Sequence, residues 1–144
     1  MKVEIFNLCD FATVDAGGKL TLVGVFDKIW APSAPAAHGL FALAARIRFD
    51  KIEEGQKRIK ISIVDSDGRP VVPSLEAQVF VQIPPEEQSA TTHFVSIVTQ
   101  LLLTKFGEYA VDLAIDGRQE ASIPLFFRQL ITNQPELPTR SRNE

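Results

Sequence analysis

Cys9, His38, His93 and Ser96 are the residues from which a nucleophile and its base would be assembled, because the chain holds one cysteine and two histidines. Hydrolysis through a covalent intermediate needs Ser, Thr or Cys beside a base that a third group orients. His38 falls in a Pro-Ala connection and His93 near the start of a strand, so neither lies next to a partner in sequence. Cys9 falls on the same strand face as Ile5 and Phe11, where a small thiol packs as an apolar group. Zinc asks for three or four nitrogen or sulfur ligands, and these residues offer no local spacing of that kind. Asp65, Asp67, Asp112 and Asp116 suggest calcium. However, Asp65-Ser66-Asp67-Gly68 lacks the glutamate that closes a calcium loop at its twelfth position, and turn chemistry explains the motif. Gly17-Gly18-Lys19 lacks the longer spacing of a phosphate loop and leads into a strand rather than a helix. Glycoside cleavage needs two carboxylates facing one another across a cleft, and an acidic chain has too many carboxylates for their number to select a pair.

Four residues stand out for binding. Trp30 follows a strand and precedes the Pro-rich connection. It is either a stacking platform or, on the simpler reading, a cap on the core whose indole N–H reaches a carbonyl. Tyr109 is a second candidate platform. Arg46 and Arg48 would join Arg58 and Lys60 in a basic stripe if their strands pair across the Glu53–Gly55 turn, and a solvated sheet face is the simpler account. The light residues Ala42, Ala44, Ala110 and Ala114 permit close approach by another surface.

The elements that must hold these side chains are strands. Leu20 to Ile29 follows Asp15-Ala16-Gly17-Gly18, whose adjacent glycines suit a tight reversal, so a hairpin spans about residues 2 to 30. Residues 31 to 39, with Pro32 and Pro35, cannot sustain a ladder and form a connection between sheets. Phe41, Leu43, Ala45, Ile47 and Phe49 then alternate with lighter and polar residues. A helix is the competing reading, but Arg46, Arg48 and Asp50 recur at a period of two.

Ile59, Ile61 and Ile63 oppose Arg58, Lys60 and Ser62, the pattern of a sheet with one wet face. Further strands cover 75–83 and 92–103, the second with a bulge or two-sided burial at Leu101–Leu103. Tyr109 to Ile115 has the cleanest alternation, Asp116-Gly117 supplies a mirror-image turn, and residues 121–127 return. Pro124 places that last strand at an edge or at a bulge. About eight strands without intervening helices imply an all-β, two-layer antiparallel β-sandwich.

The chain of 144 residues, 45% apolar and 23% charged, suits one domain with one core over residues 1–130, followed by a polar tail over 131–144. A formal charge of −3 without a basic cluster argues against a nucleic-acid surface. A lone Cys9 makes an intramolecular disulfide impossible and fits a reducing compartment. No apolar run approaches a membrane span and the first residues show no leader pattern, so a cytoplasmic protein away from the membrane is expected.

Cys9-Asp10-Phe11-Ala12, Gly17-Gly18-Lys19-Leu20, Leu22 to Ile29, Asp65-Ser66-Asp67-Gly68 and Phe106-Gly107-Glu108-Tyr109 resemble a family of small bacterial proteins of unknown function. The resemblance spans roughly residues 3 to 127. It implies a β-sandwich and transfers no activity, ligand or catalytic residue. The residues themselves favour a non-catalytic interaction or structural module that meets a protein partner or a second copy and needs no cofactor. Trp30, Arg46, Arg48 and Tyr109 are its candidate contacts. A sandwich that binds a carbohydrate or small molecule is the alternative, and a hydrolytic enzyme the third reading.

Overall fold

Alternating side chains let a strand bury one face and wet the other, and nearly all of the fold follows from where that alternation holds or slips. The computed structural model describes residues 1–131, so the expected tail lies, except for Ile131, outside the described residues. The strands are β1 (Lys2–Val14), β2 (Leu20–Phe26), β3 (Lys28–Ala31), β4 (Ala36–Asp50), β5 (Gly55–Val64), β6 (Leu75–Val81), β7 (Ser89–Leu103), β8 (Gly107–Ile115) and β9 (Arg118–Gln129). A short 3-10 turn, Lys51–Glu53, follows β4. The strands form a four-stranded sheet in the order β2-β1-β4-β7 and a five-stranded sheet in the order β3-β9-β8-β5-β6.

The all-β expectation with two sheets holds, and its finer form needs correction. The sheets curl into a half-barrel instead of closing as a two-layer sandwich, and β3 runs parallel to β9. The last strands of the two sheets, β6 and β7, do not pair with one another, which leaves the curl open on that side. Between them an opening of about 300 Å³ is lined by Ile61, Ile63, Val72, Leu75, Ile97 and Val98, among others.

The inner faces of both sheets share one core. Phe41, Leu43, Ile47 and Phe49 from β4 meet Ile59, Ile61 and Ile63 from β5, Val111 and Leu113 from β8, and Leu125 and Phe127 from β9. Each such side chain, fully removed from water, contributes about 1.5–3 kcal/mol before the entropy of ordering is set against it.

The hairpin of β1 and β2 forms as expected, but the chain leaves that sheet one residue later. Asp27 separates β2 from β3, whose Ile29 lies opposite Phe127 in the five-stranded sheet. The expected connection over 31–39 is also shorter, since β4 begins at Ala36 and pairs with Leu103. Both β4 and β7 change phase together near Leu40, which takes a left-handed φ of 51°. Before it Ala36 faces the core and after it Phe41 does, while on β7 the inward residues change from Val98 to Leu101 and Leu103. The irregularity expected at Leu101–Leu103 is thus a matched slip of two strands.

Asp116 and Gly117 both have positive φ, 51° and 82°, as a mirror-image turn requires. β9 lies between β3 and β8 in sheet order, but β3 covers only Phe126 to Gln129. Pro124 therefore stands on the uncovered stretch of β9, where a missing donor costs no ladder bond.

Candidate functional site

On the outer face of the four-stranded sheet, an apolar cluster and a polar cluster occupy separate ends. Ile5 and Cys9 of β1 stand opposite Arg46 and Ala42 of β4, which stand opposite His93 and Ile97 of β7. On this outer side Cys9, Ala42 and Ala44 are fully buried (0% exposed) and Ala12 is nearly so, flanked by Leu20, Leu22 and Val95. A sheet face with no second layer over it usually alternates to polar residues. Here small residues form a sunken floor, and branched residues on β2 and β7 form its walls. Val25 and Ile97, 56% and 51% exposed, border the floor from opposite sides.

At one end the floor gives way to a polar cluster made possible by a bulge in β1, where the register against β4 shifts between Val3 and Ile5. The bulge presents Glu4 to two arginines. Its Oε1 accepts from Arg46 Nε at 2.9 Å and its Oε2 from Arg48 Nε at 3.2 Å. Hydrogen bonds from Arg48 and then Arg46 hold the Glu4 carboxyl below its ordinary pKa. Arg46 Nη1 lies 2.9 Å from His93 Nε2. Because a guanidinium can only donate, that ring nitrogen is placed as the acceptor of the contact. Arg48 Nη1 donates to Ser89 Oγ at 3.1 Å. Glu4, Arg46 and Arg48 together carry one net positive charge, and the cluster spans β1, β4 and β7.

Arg46 and Arg48 are thus together, as expected, but not with Arg58 and Lys60. Those two lie on β5 in the other sheet, so the basic stripe across the Glu53–Gly55 turn does not form. Nothing local marks Glu4 or His93 as their partners, since the contacts depend on a bulge and on register across 42 to 47 residues.

The nucleophile pairs considered above do not assemble. Cys9 faces outward while His38 points into the core side, packed against Phe26 and Phe41 with ring centroids 5.8 and 5.4 Å away. The Cys9 thiol sits 3.8 Å from the Ala42 carbonyl as a donor, and burial raises its pKa, so it is a poor thiolate. His93 and Ser96 lie on opposite faces of β7, at positions of opposite parity facing Arg46 and Leu43. Among the described residues no group of three or more His, Cys, Asp or Glu side chains is placed to hold a metal. Asp65 Oδ1 accepts from the amides of Asp67 and Arg69, both at 2.9 Å, which is turn bonding.

Trp30 and Tyr109 exchange their expected places. Trp30 does not cap the core: Ile29 and Ala31 turn inward and leave its ring 55% exposed on the outer face. It lies opposite Arg128, and beside it the Phe126 ring is flanked by Lys28 Nζ at 5.6 Å and Arg128 Cζ at 5.0 Å. Tyr109 is buried, and its hydroxyl donates to the Lys105 carbonyl at 2.6 Å. A depression of about 500 Å³ passes over it, lined by Asp65, Ser66, Glu108, Ser122 and Pro124 among others. With its ring packed and its hydroxyl engaged, Tyr109 offers no stacking platform there.

The class these observations define is an all-β fold of two curled sheets whose four-stranded sheet bears, on its outer side, a floor of small apolar residues bordered by exposed Val25 and Ile97. The chain belongs to a family of unknown function, DUF6941, whose model matches residues 4–128. Comparison with curated proteins gives no match. Among solved structures, the chain is similar to the alkylpurine DNA glycosylase AlkC of Pseudomonas fluorescens, bound to DNA containing an abasic-site analog, with a TM-score of 0.45 and 9% identity. That alignment covers 88% of this chain and 30% of the glycosylase chain, so this chain spans under a third of it. An immunoglobulin-like protein from Pseudomonas aeruginosa aligns with a TM-score of 0.34 and 10% identity, over 88% of this chain and 95% of that one. No helix among the described residues is long and apolar enough to cross a membrane.

Proposed function

We propose that the chain is a non-catalytic protein-interaction module, placed in the cytoplasm, that works through the outer face and free edge of its four-stranded sheet. One observation carries the reading: exposed Val25 and Ile97 border a floor of Cys9, Ala42 and Ala44 on the side of the sheet over which the described residues form no second layer. An apolar centre beside a polar cluster is the anatomy of an interface, and Glu4, Arg46, Arg48 and His93 provide its polar margin. The partner this chemistry fits is a protein strand with neutral, branched side chains. A photo-reactive residue introduced at Ile97 or Val25 is expected to give discrete cross-linked species in the native host, while the same residue at Phe80, on the other sheet, gives none. Equal labelling at all positions, or none at any, overturns the proposal.

A second reading, a small-molecule or carbohydrate site, draws on the exposed Trp30 beside Lys28, Phe126 and Arg128. An aromatic platform with cations beside it suits a sugar or an anionic ring. If this reading were correct, Trp30→Ala would abolish binding in a glycan or metabolite screen while leaving the cross-links at Ile97 intact.

A further inference from the structure

Every exposed sheet edge is a row of unpaired backbone donors and acceptors, and folded proteins blunt such edges with charge, proline, kinks or brevity. Four stretches of edge here are blunted. β2 is seven residues long and bends at left-handed Gly24. β3 has four residues, one of them Lys28. β6 has seven residues with Glu76 among them, and the uncovered part of β9 contains Pro124.

β7 is different. It runs for fifteen residues, Ser89–Leu103, with no Asp, Glu, Lys, Arg, proline or glycine, and among the described residues it pairs only with β4. At about 3.4 Å per residue its open side is roughly 50 Å long. The apolar opening of about 300 Å³ lies beside that open side, so a strand added there would also roof Ile61, Ile63, Val72 and Leu75.

We infer that β7 pairs antiparallel with β7 of a second copy, across a two-fold axis, to give a continuous eight-stranded sheet. The inference rests on the interaction reading and names its partner. A second copy fits for two reasons. An uncharged strand set against itself brings no like charges together and leads no ion into the apolar opening, whereas a charged strand would do the latter at a cost. The faces also match. Across a two-fold axis, residues i and j pair with i + j constant, and when that sum is even, outward residues meet outward residues over Ser89–Val98, ahead of the change of phase at Leu101. Thr91, His93, Val95 and Ile97 would then extend one floor into the next, with Phe94 and Val98 on the core side of both copies. An odd sum would set floor residues against core residues, so the sum is even and one residue of β7 faces its own copy.

That geometry gives a sharp test. In the full-length protein, single cysteines at successive positions from 93 to 97 are oxidised in turn. Only the residue on the axis can form a symmetric disulfide, since one two positions away lies about 14 Å from its copy. The expected result is a disulfide dimer from one position and none from its neighbours, with light scattering giving twice the chain mass for the unmodified protein. Ile97→Lys, on an exposed outer position, is expected to weaken self-association roughly tenfold or more with an unchanged melting curve. Thr99→Lys, also exposed, serves should Ile97→Lys fail to fold. A monomer mass at every concentration, or equal linking at adjacent positions, overturns the inference. If the unmodified protein is monomeric while the residue at 97 still cross-links to a different chain, the second copy is refuted and the interaction reading stands. A monomer with no cross-link refutes both.

Discussion

The outer faces of the two sheets obey the same backbone rule and carry opposite chemistry. On the five-stranded sheet, the positions between buried Ile59, Ile61 and Ile63 are Lys60 and Ser62, and Lys60 stands opposite Ala114. Ser122 donates to Asp112 at 2.6 Å and Gln56 to Gln78 at 2.6 Å, so this face is finished with polar pairs that water also reaches. On the four-stranded sheet, the corresponding positions between Phe41, Leu43, Ala45 and Ile47 are Ala42, Ala44 and Arg46. Here water is displaced from the sheet centre by neighbouring branched side chains and the polar groups are confined to one end. The centre of one face is finished with polar pairs and its exposed aromatics, Trp30 and Phe80, stand on the outlying strands β3 and β6, while the other sets exposed Val25 and Ile97 around a central apolar floor.

The comparison breaks most plainly with the same charge placed on each floor. Ala44→Asp puts an unpaired carboxylate at a position with no exposure, and a loss of about 3 kcal/mol is expected in chemical denaturation. Ala114→Asp puts one opposite Lys60 and should change stability by less than about 0.5 kcal/mol. Equal effects would show that the two faces are equally wet. Gly24→Ala tests the margin of the apolar floor. Gly24 has a φ of 69°, and a methyl group there would overlap the Asp10 carboxylate, so a loss of about 2 kcal/mol is expected, seen as a lower melting temperature.

The smallest effect belongs to the polar end. Because Glu4 titrates below its ordinary value in the folded chain, it adds stability that is present above that value and lost as the pH falls through the folded one. Acidification below the ordinary carboxylate range should therefore lower the melting temperature of the unmodified protein more than that of Glu4→Gln.

What the sequence revealed follows from how locally each feature is encoded. Tyr109 to Ile115 alternates without interruption, and Asp116-Gly117 forces a reversal in four residues, so β8, β9 and their turn were readable. β3 was merged into the first hairpin because one residue, Asp27, moves the chain between sheets without any change of composition. The start of β4 was hidden because Pro and Ala around His38 describe a loop locally, while Leu101 to Leu103 on a distant strand supply the pairing. Arg46 and Arg48 could be singled out by period, but the Glu4 bulge and His93 became their partners only through register. Trp30 stays open between an inward and an outward place in sequence because a four-residue strand is too short for alternation to declare which side is inward.

The parallel contact between β3 and β9 also bears on the order of assembly during synthesis. Lys28 to Ala31 leave the ribosome early but find their hydrogen-bonding neighbours only when Phe126 to Gln129 have emerged, nearly a hundred residues later. Contacts so far apart in sequence form slowly, and a nascent chain must keep this short strip, with its indole, unclasped until translation of the last strand is complete.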